Sequence, residues 1–244
     1  MRNGRRGMTL IEVMIAVTLV SLLAIGMLFA IRVGLTTMEA TNRRSNLNRR
    51  ALGAQRILSA EVAGFLPVIA RCGGSAVVEG GSNAPFFEGL PAVMRFASTY
   101  SLEGASRGAP QVAEFFVAPG QAGQGVRLLL NELPYTGPIG AGFLCQPPAP
   151  DPVTGVNTIR FAPPAANPRS FVVADRLASV HFLYLQSDDR DPDLWVPAWT
   201  KQDQWPAAVR IEMVPLEPDA SRVQPMTFTG RFRPNRRPGE QFEY

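Results

Sequence analysis

The longest apolar run in the chain begins at its eighth residue. Met8 to Val33 is built almost wholly of Met, Leu, Ile, Val, Ala and small polar residues, with Glu12 near its start and Arg32 at its far end. The stretch Val13–Ile31 carries no formal charge over 19 residues. As a helix it would be about 28 Å long, close to the hydrocarbon thickness of a bilayer. No proline interrupts it, so it can satisfy its own backbone hydrogen bonds in lipid. Arg32 to Asn48 is mostly polar. From Leu47 onward Leu47, Ala51, Ala54, Leu58, Val62 and Phe65 recur at spacings of 4, 3, 4, 4 and 3, one face of a helix. Pro67 ends the pattern. These periodicities predict one continuous helix from about Met8 to Phe65. Its second half lays an apolar stripe on a folded head.

The period then changes from 3.6 to 2. Val209, Ile211 and Met213 alternate with Arg210 and Glu212, and Phe228 and Phe232 flank Thr229 and Arg231 in the same manner. That is the pattern of half-buried strands. Strands are expected at Ala92–Ser98, Gln111–Val117, Val126–Leu133, Phe171–Ala174, Ser179–Gln186, Ala208–Leu216 and Met226–Phe232. Loops are expected at Gly73–Pro85, Gly104–Pro110, Pro134–Pro152 and Ala162–Pro168. The fold class is therefore α+β: a long N-terminal helix on an antiparallel sheet, in one or two pieces. The 22 Gly and 22 Pro of the 244 residues suit such a turn-rich head and argue against a helical bundle. The expected division is a short basic start at 1–7, a transmembrane segment at 8–33, further helix at 34–66 and a head at 67–244.

Charge changes the picture at the N-terminus. Arg2, Arg5 and Arg6 precede the apolar run and no acid accompanies them. Their position favours a cytoplasmic N-terminus and an external head. No second apolar run of that length follows, so a single crossing is expected. A cleaved secretory signal peptide is a competing reading, with Ala24-Ile25-Gly26 as a small-x-small site. Against it, the apolar run continues through Leu28, Phe29 and Ile31. Neither a signal peptide nor a plain anchor explains Glu12. A carboxylate at a bilayer centre costs on the order of 2.5–3.5 kcal/mol, less near an edge, and requires a cationic partner.

Gly7-Met8-Thr9-Leu10-Ile11-Glu12-Val13, after a basic leader and before an apolar helix, resembles the processing signature of type IV pilins and type II secretion pseudopilins. The resemblance implies that a prepilin peptidase cuts between Gly7 and Met8 and N-methylates Met8. Met8 stands where Phe is usual. It also implies that Glu12, the fifth mature residue, pairs with the terminal amine of a neighbouring subunit, supplying the cation that a buried acid needs. The run Ala174-Asp175-Arg176-Leu177 into Val180-His181-Phe182-Leu183-Tyr184, then Trp195, Trp199 and Trp205-Pro206-Ala207-Ala208-Val209-Arg210-Ile211-Glu212, is similar more loosely to the minor pseudopilin J class. The arginine-rich stretch Asn48-Arg49-Arg50 to Arg56 fits that class too. That class implies a structural subunit at the tip of a periplasmic pseudopilus in the bacterial inner membrane. Its partners would be the I and K classes of minor pseudopilin, the major pseudopilin, the prepilin peptidase and membrane lipid. A minor type IV pilin priming pilus assembly is the first alternative. A membrane-anchored periplasmic enzyme is the second.

Other candidate chemistry is sparse. Cys72 and Cys145, on the expected outer side, either form a disulfide or remain two buried thiols. Gly80-Gly81-Ser82-Asn83-Ala84 lacks the last glycine of a nucleophile elbow, and His181, the one histidine, lies in a strand pattern; a surface loop and a strand histidine are the plainer readings. Asp189, Asp191 and Asp193 open like a calcium loop, but Leu194 stands where glycine is required and Thr200 where glutamate is. A solvated acidic turn is the reading, with calcium the alternative. No cofactor, catalytic group or other metal site is expected. Trp195, Trp199 and Trp205 serve either as an interaction surface or as packing. Arg231, Arg233, Arg236 and Arg237 form a basic tail. Loss of the leader would leave 21 basic against 20 acidic side chains, so the pI near 9.6 gives little reason to expect nucleic acid.

Overall fold

The computed structural model describes residues 8–72, 82–104, 106–150, 157–188, 191–201, 203–216 and 226–233. The chain divides into two units, Met1–Arg50 and Ala51–Tyr244. One helix, α1 (Leu10–Ala63), runs through both. It is followed by β1 (Phe65–Leu66), β2 (Ile69–Cys72), β3 (Ser82–Pro85), β4 (Phe87–Gly89), β5 (Val93–Ser101), β6 (Ser106–Pro119) and β7 (Val126–Pro134). Then come a short helix α2 (Pro138–Gly142), β8 (Cys145–Pro150), β9 (Asn157–Phe161), β10 (Phe171–Asp188), β11 (Asp191–Val196), β12 (Ala208–Pro215) and β13 (Met226–Arg231).

The first unit, as described, is the N-terminal part of α1. Residues Leu10–Glu39 are long and apolar enough to cross a membrane, and none of that span is buried by the rest of the chain. Such a surface needs lipid or other helices around it.

The second unit is α+β. Nine strands form one antiparallel sheet in the order β1-β5-β6-β7-β10-β12-β13, with β4 also on β5 and β11 also on β10. Two hairpins stand apart, β2–β3 and β8–β9. Alternation decides which residues meet. Phe96, Phe115, Leu128, Leu130, Phe182, Tyr184, Val209, Ile211 and Phe228 share one core with Ala54, Leu58 and Val62 of α1. Ala97 and Val112, one position out of phase, join a second core with Val68, Ala70, Cys72, Phe86, Ala141 and Phe161. The middle strands are thus buried on both faces. Leu58 is fully buried, and burying a leucine contributes about 1.5–3 kcal/mol. The stripe on α1 is real at Ala54, Leu58 and Val62; the side chain of Leu47 lies outside the described residues.

Several expected boundaries need correction. α1 stops at Ala63, two residues short of Phe65, because Phe65 and Leu66 pair with Ser98 and Ala97 as β1. Gly64 makes that switch possible: a Cβ there would lie 2.6 Å from Ser98 Oγ. The two strands expected at 171–174 and 179–186 are one, β10, with bulges at Val172/Ala174 and Ala174/Leu177. Arg176, at φ 55°, interrupts the alternation without ending the strand. Strands β3 and β8 fall inside stretches expected to be loops. β8 carries three prolines, which a strand paired on one side by β9 accommodates.

Candidate processing and assembly site

The start of α1 is set by Thr9. Its backbone carbonyl accepts from the amides of Glu12 at 3.1 Å and Val13 at 3.3 Å. Glu12 therefore occupies the first helical turn. There the unpaired amide groups and the positive end of the helix dipole favour a carboxylate. Met8 lies just before the helix and is 81% exposed; the Glu12 side chain is exposed too. The fold thus places the acid at the very mouth of the apolar helix rather than at its middle, where its desolvation would cost most. Among the described residues, what the arrangement offers is an exposed carboxyl group in the first turn of an apolar helix. Gly7 lies outside the described residues.

Residues 2–28 match the family model of the prokaryotic N-terminal methylation motif. The chain has a type IV pilin-like N-terminus. The match covers the leader arginines, Gly7, Met8 and Glu12 together. No curated protein matches the chain. The pilin-like motif implies processing by a prepilin peptidase and assembly with other pilins. With the apolar part of α1 it fits a membrane-anchored protein with one crossing.

The residues that an enzymatic reading would join lie in different sheets. His181 is exposed on β10, opposite Glu212 on β12, whereas Ser82 opens β3 in a separate hairpin opposite Cys72. Gly80 and Gly81 lie outside the described residues. So do Asp189 and the side chains of Asp191 and Asp193, although Asp191 is placed as the first residue of β11. Among the described residues no group of three or more His, Cys, Asp or Glu is arranged to hold a metal.

Cys72 and Cys145 are joined, with an S–S distance of 2.00 Å and Cα atoms 5.5 Å apart. The bond ties β2 to β8 and so staples the two hairpins that build the second core. The tryptophans divide. Trp205 is buried and meets Phe65 edge-on at 6.3 Å. Trp199 packs on the first core and donates its indole N–H to the Gln204 carbonyl at 3.0 Å. Trp195 is half-buried, with the Arg210 guanidinium 4.0 Å above its ring. Arg231 is exposed on β13 and Arg233 just beyond it; Arg236 and Arg237 lie outside the described residues.

Two charged features escaped the sequence reading. Arg95 on β5 is 1% exposed, yet its guanidinium donates to Glu114 at 2.8 Å, to Glu88 at 2.7 Å and to the Ala162 carbonyl at 2.7 Å. Phe161 lies against it at 5.4 Å. Glu114 also accepts from Asn131 at 3.3 Å. Burial raises the Glu88 carboxyl above its ordinary value, the nearby Arg95 pulls it down and Glu114 raises it. The signal available was Met94-Arg95-Phe96, an arginine between apolar neighbours in the first half of a strand. The second feature is Glu61, fully buried on α1. Burial is the main cause pushing its carboxyl up to about 8; Ser98 opposes the rise and Glu132 adds to it. Its signal was an acid one position before Val62 in the apolar stripe.

Proposed function

We propose that this chain is a non-catalytic structural subunit, a minor pseudopilin most like the J class, at the tip of a type II secretion pseudopilus. The observation that carries the reading is the methylation motif over residues 2–28 with Glu12 in the first turn of a span-length apolar helix. In this reading the leader 1–7 is removed on the cytoplasmic face and Met8 becomes the methylated N-terminus. Residues 8–33 hold the subunit in the inner membrane, 34–66 form the stalk and 67–244 the periplasmic head. Glu12 pairs with the amine of an adjacent subunit, which neutralises both groups as they enter an apolar bundle. The disulfide supports an oxidising location for the head. Partners would be the I and K classes of minor pseudopilin and the major pseudopilin.

The test is recovery of an affinity-tagged full-length chain from crosslinked native membranes, with partners identified by mass spectrometry. Recovery with I- and K-class pseudopilins and a secretin supports the reading. Recovery with a pilus retraction ATPase and major pilin would transfer the subunit to a type IV pilus.

A further inference from the structure

The buried carboxyl of Glu61 has no use in the assembly site, and its surroundings are unusual. Its side chain is fully buried, and neither of its oxygens has a hydrogen-bond donor. The Ser98 hydroxyl, from β5, donates instead to the Glu61 backbone carbonyl at 3.2 Å. From β7 it is Glu132 that acts on it. The register puts Glu132 opposite Ala113, which lies opposite Phe96, so it shares the α1-facing side of the sheet with Leu128 and Leu130. Glu132 is itself held by donors. It accepts from the Ser101 hydroxyl at 3.1 Å, from the Glu103 amide at 3.1 Å and from the Leu102 amide. Two acceptors therefore face each other where neither can donate. The missing donor is a proton.

We propose that Glu61 and Glu132 share one proton across the junction of α1 and the sheet, and that its loss loosens the end of α1. With the proton on Glu61, its O–H donates to the Glu132 carboxylate and the pair carries one negative charge. Release of the proton to water leaves two facing anions, one of them fully buried, a like-charge arrangement that a folded protein tolerates poorly. The strain falls on a small set of bonds. The Gly64 amide donates to the carbonyls of Ala60 and Glu61 at 2.9 and 3.1 Å, and the Thr99 amide donates to the Gly64 carbonyl at 2.7 Å. These bonds fix where the helix ends and β1 begins. Beside Glu132, residues Ser101, Glu103, Gln111, Pro134, Arg169 and Phe171 line a solvent-facing hollow of about 190 Å³, through which the proton reaches water. The device makes the link between helix and head sensitive to the pH of the compartment that bathes the head.

Hydrogen exchange of the full chain in detergent micelles tests it, read at segment 60–66 and at Thr99 after correction for intrinsic rates. In the parent, protection falls with rising pH by up to about tenfold per unit while Glu61 keeps its proton in the closed state but loses it on opening, and levels off once it ionises in the closed state; the fall is read from about pH 5 to 9. Glu61→Gln abolishes the fall. Glu132→Gln moves its midpoint to lower pH, because the opposing charge is gone. A fall that persists in Glu61→Gln, or a midpoint unmoved in Glu132→Gln, overturns the proposal. Infrared spectra of the parent protect against a variant that does not fold: a protonated-carboxyl C=O band present at pH 6 and lost by pH 9.5 is expected. Its absence at pH 6 overturns the proposal.

Discussion

Replacing Arg95 by methionine keeps much of its apolar length and removes the charge. Three donated hydrogen bonds vanish, to Glu114, Glu88 and the Ala162 carbonyl. Side-chain exposures are 1% for Arg95, 11% for Glu88 and 5% for Glu114, so solvent cannot readily replace what is lost. Removing one member of a buried ion pair typically costs about 3–5 kcal/mol. A second route bounds that figure. The stranded Glu88 carboxylate can take up a proton instead of staying charged. From an ordinary value of 4.5 to pH 7 that uptake costs about 3.4 kcal/mol, at 1.36 kcal/mol per unit. The expected loss is therefore about 4 kcal/mol near neutral pH.

The sign with pH follows. Glu88 is already raised by burial, so it removes stability as pH climbs from its unfolded value toward its folded one. Without Arg95 that window extends upward, and the variant is damaged more at pH 8 than at pH 5. For a folded unit of this size each kcal/mol shifts Tm by roughly 2–4 °C, giving a drop of about 8–16 °C near neutral pH, more at pH 8 and less at pH 5. Tryptophan fluorescence melts in detergent, at both pH values, measure it. Adding Glu88→Gln and Glu114→Gln to the arginine variant returns part of the loss. A change under about 1 kcal/mol, or one equal at the two pH values, refutes the reasoning. So does a lysine at 95 as stable as the arginine, because an ammonium cannot span both carboxylates and the carbonyl.

Further outcomes are expected elsewhere. Cys72→Ser, which opens a loop spanning 73 residues, lowers stability by about 4 kcal/mol in the chain-entropy model, read as a lower denaturant midpoint under oxidising conditions. Leu58→Ala costs about 2–5 kcal/mol by the same denaturation assay, since the side chain is fully buried against the sheet. Glu12→Leu is processed normally but is recovered with fewer partner subunits after crosslinking; undiminished recovery removes the pairing role from that carboxylate. Gly7→Ala retains its leader on a denaturing gel, and normal processing would displace the cleavage site.

Much of the molecule was legible because two periodicities are strong. Ala54, Leu58 and Val62 announce the packed end of α1, and Val209, Ile211 and Met213 announce β12. The short elements were not legible for a physical reason. β4 is three residues long and β1 two, so neither shows a period; they exist because β5 offers a free edge. Cys145-Gln146-Pro147-Pro148-Ala149-Pro150 reads as a loop, and only its pairing with β9 makes it a strand. Arg95 and Glu61 were hidden by the same rule that exposes the core: a polar residue in an apolar pattern reads as surface, whereas here tertiary contacts bury it. At Glu12 the reverse holds. Glu12 stood out because lipid offers a lone carboxylate no internal partner.

The pilin-like processing of the N-terminus is tested most directly by intact mass and N-terminal fragmentation of the protein purified from native membranes. Loss of residues 1–7 with a single methyl group on the amine of Met8 is predicted. A chain that retains its leader, or one cut after Ala24-Ile25-Gly26, would contradict it.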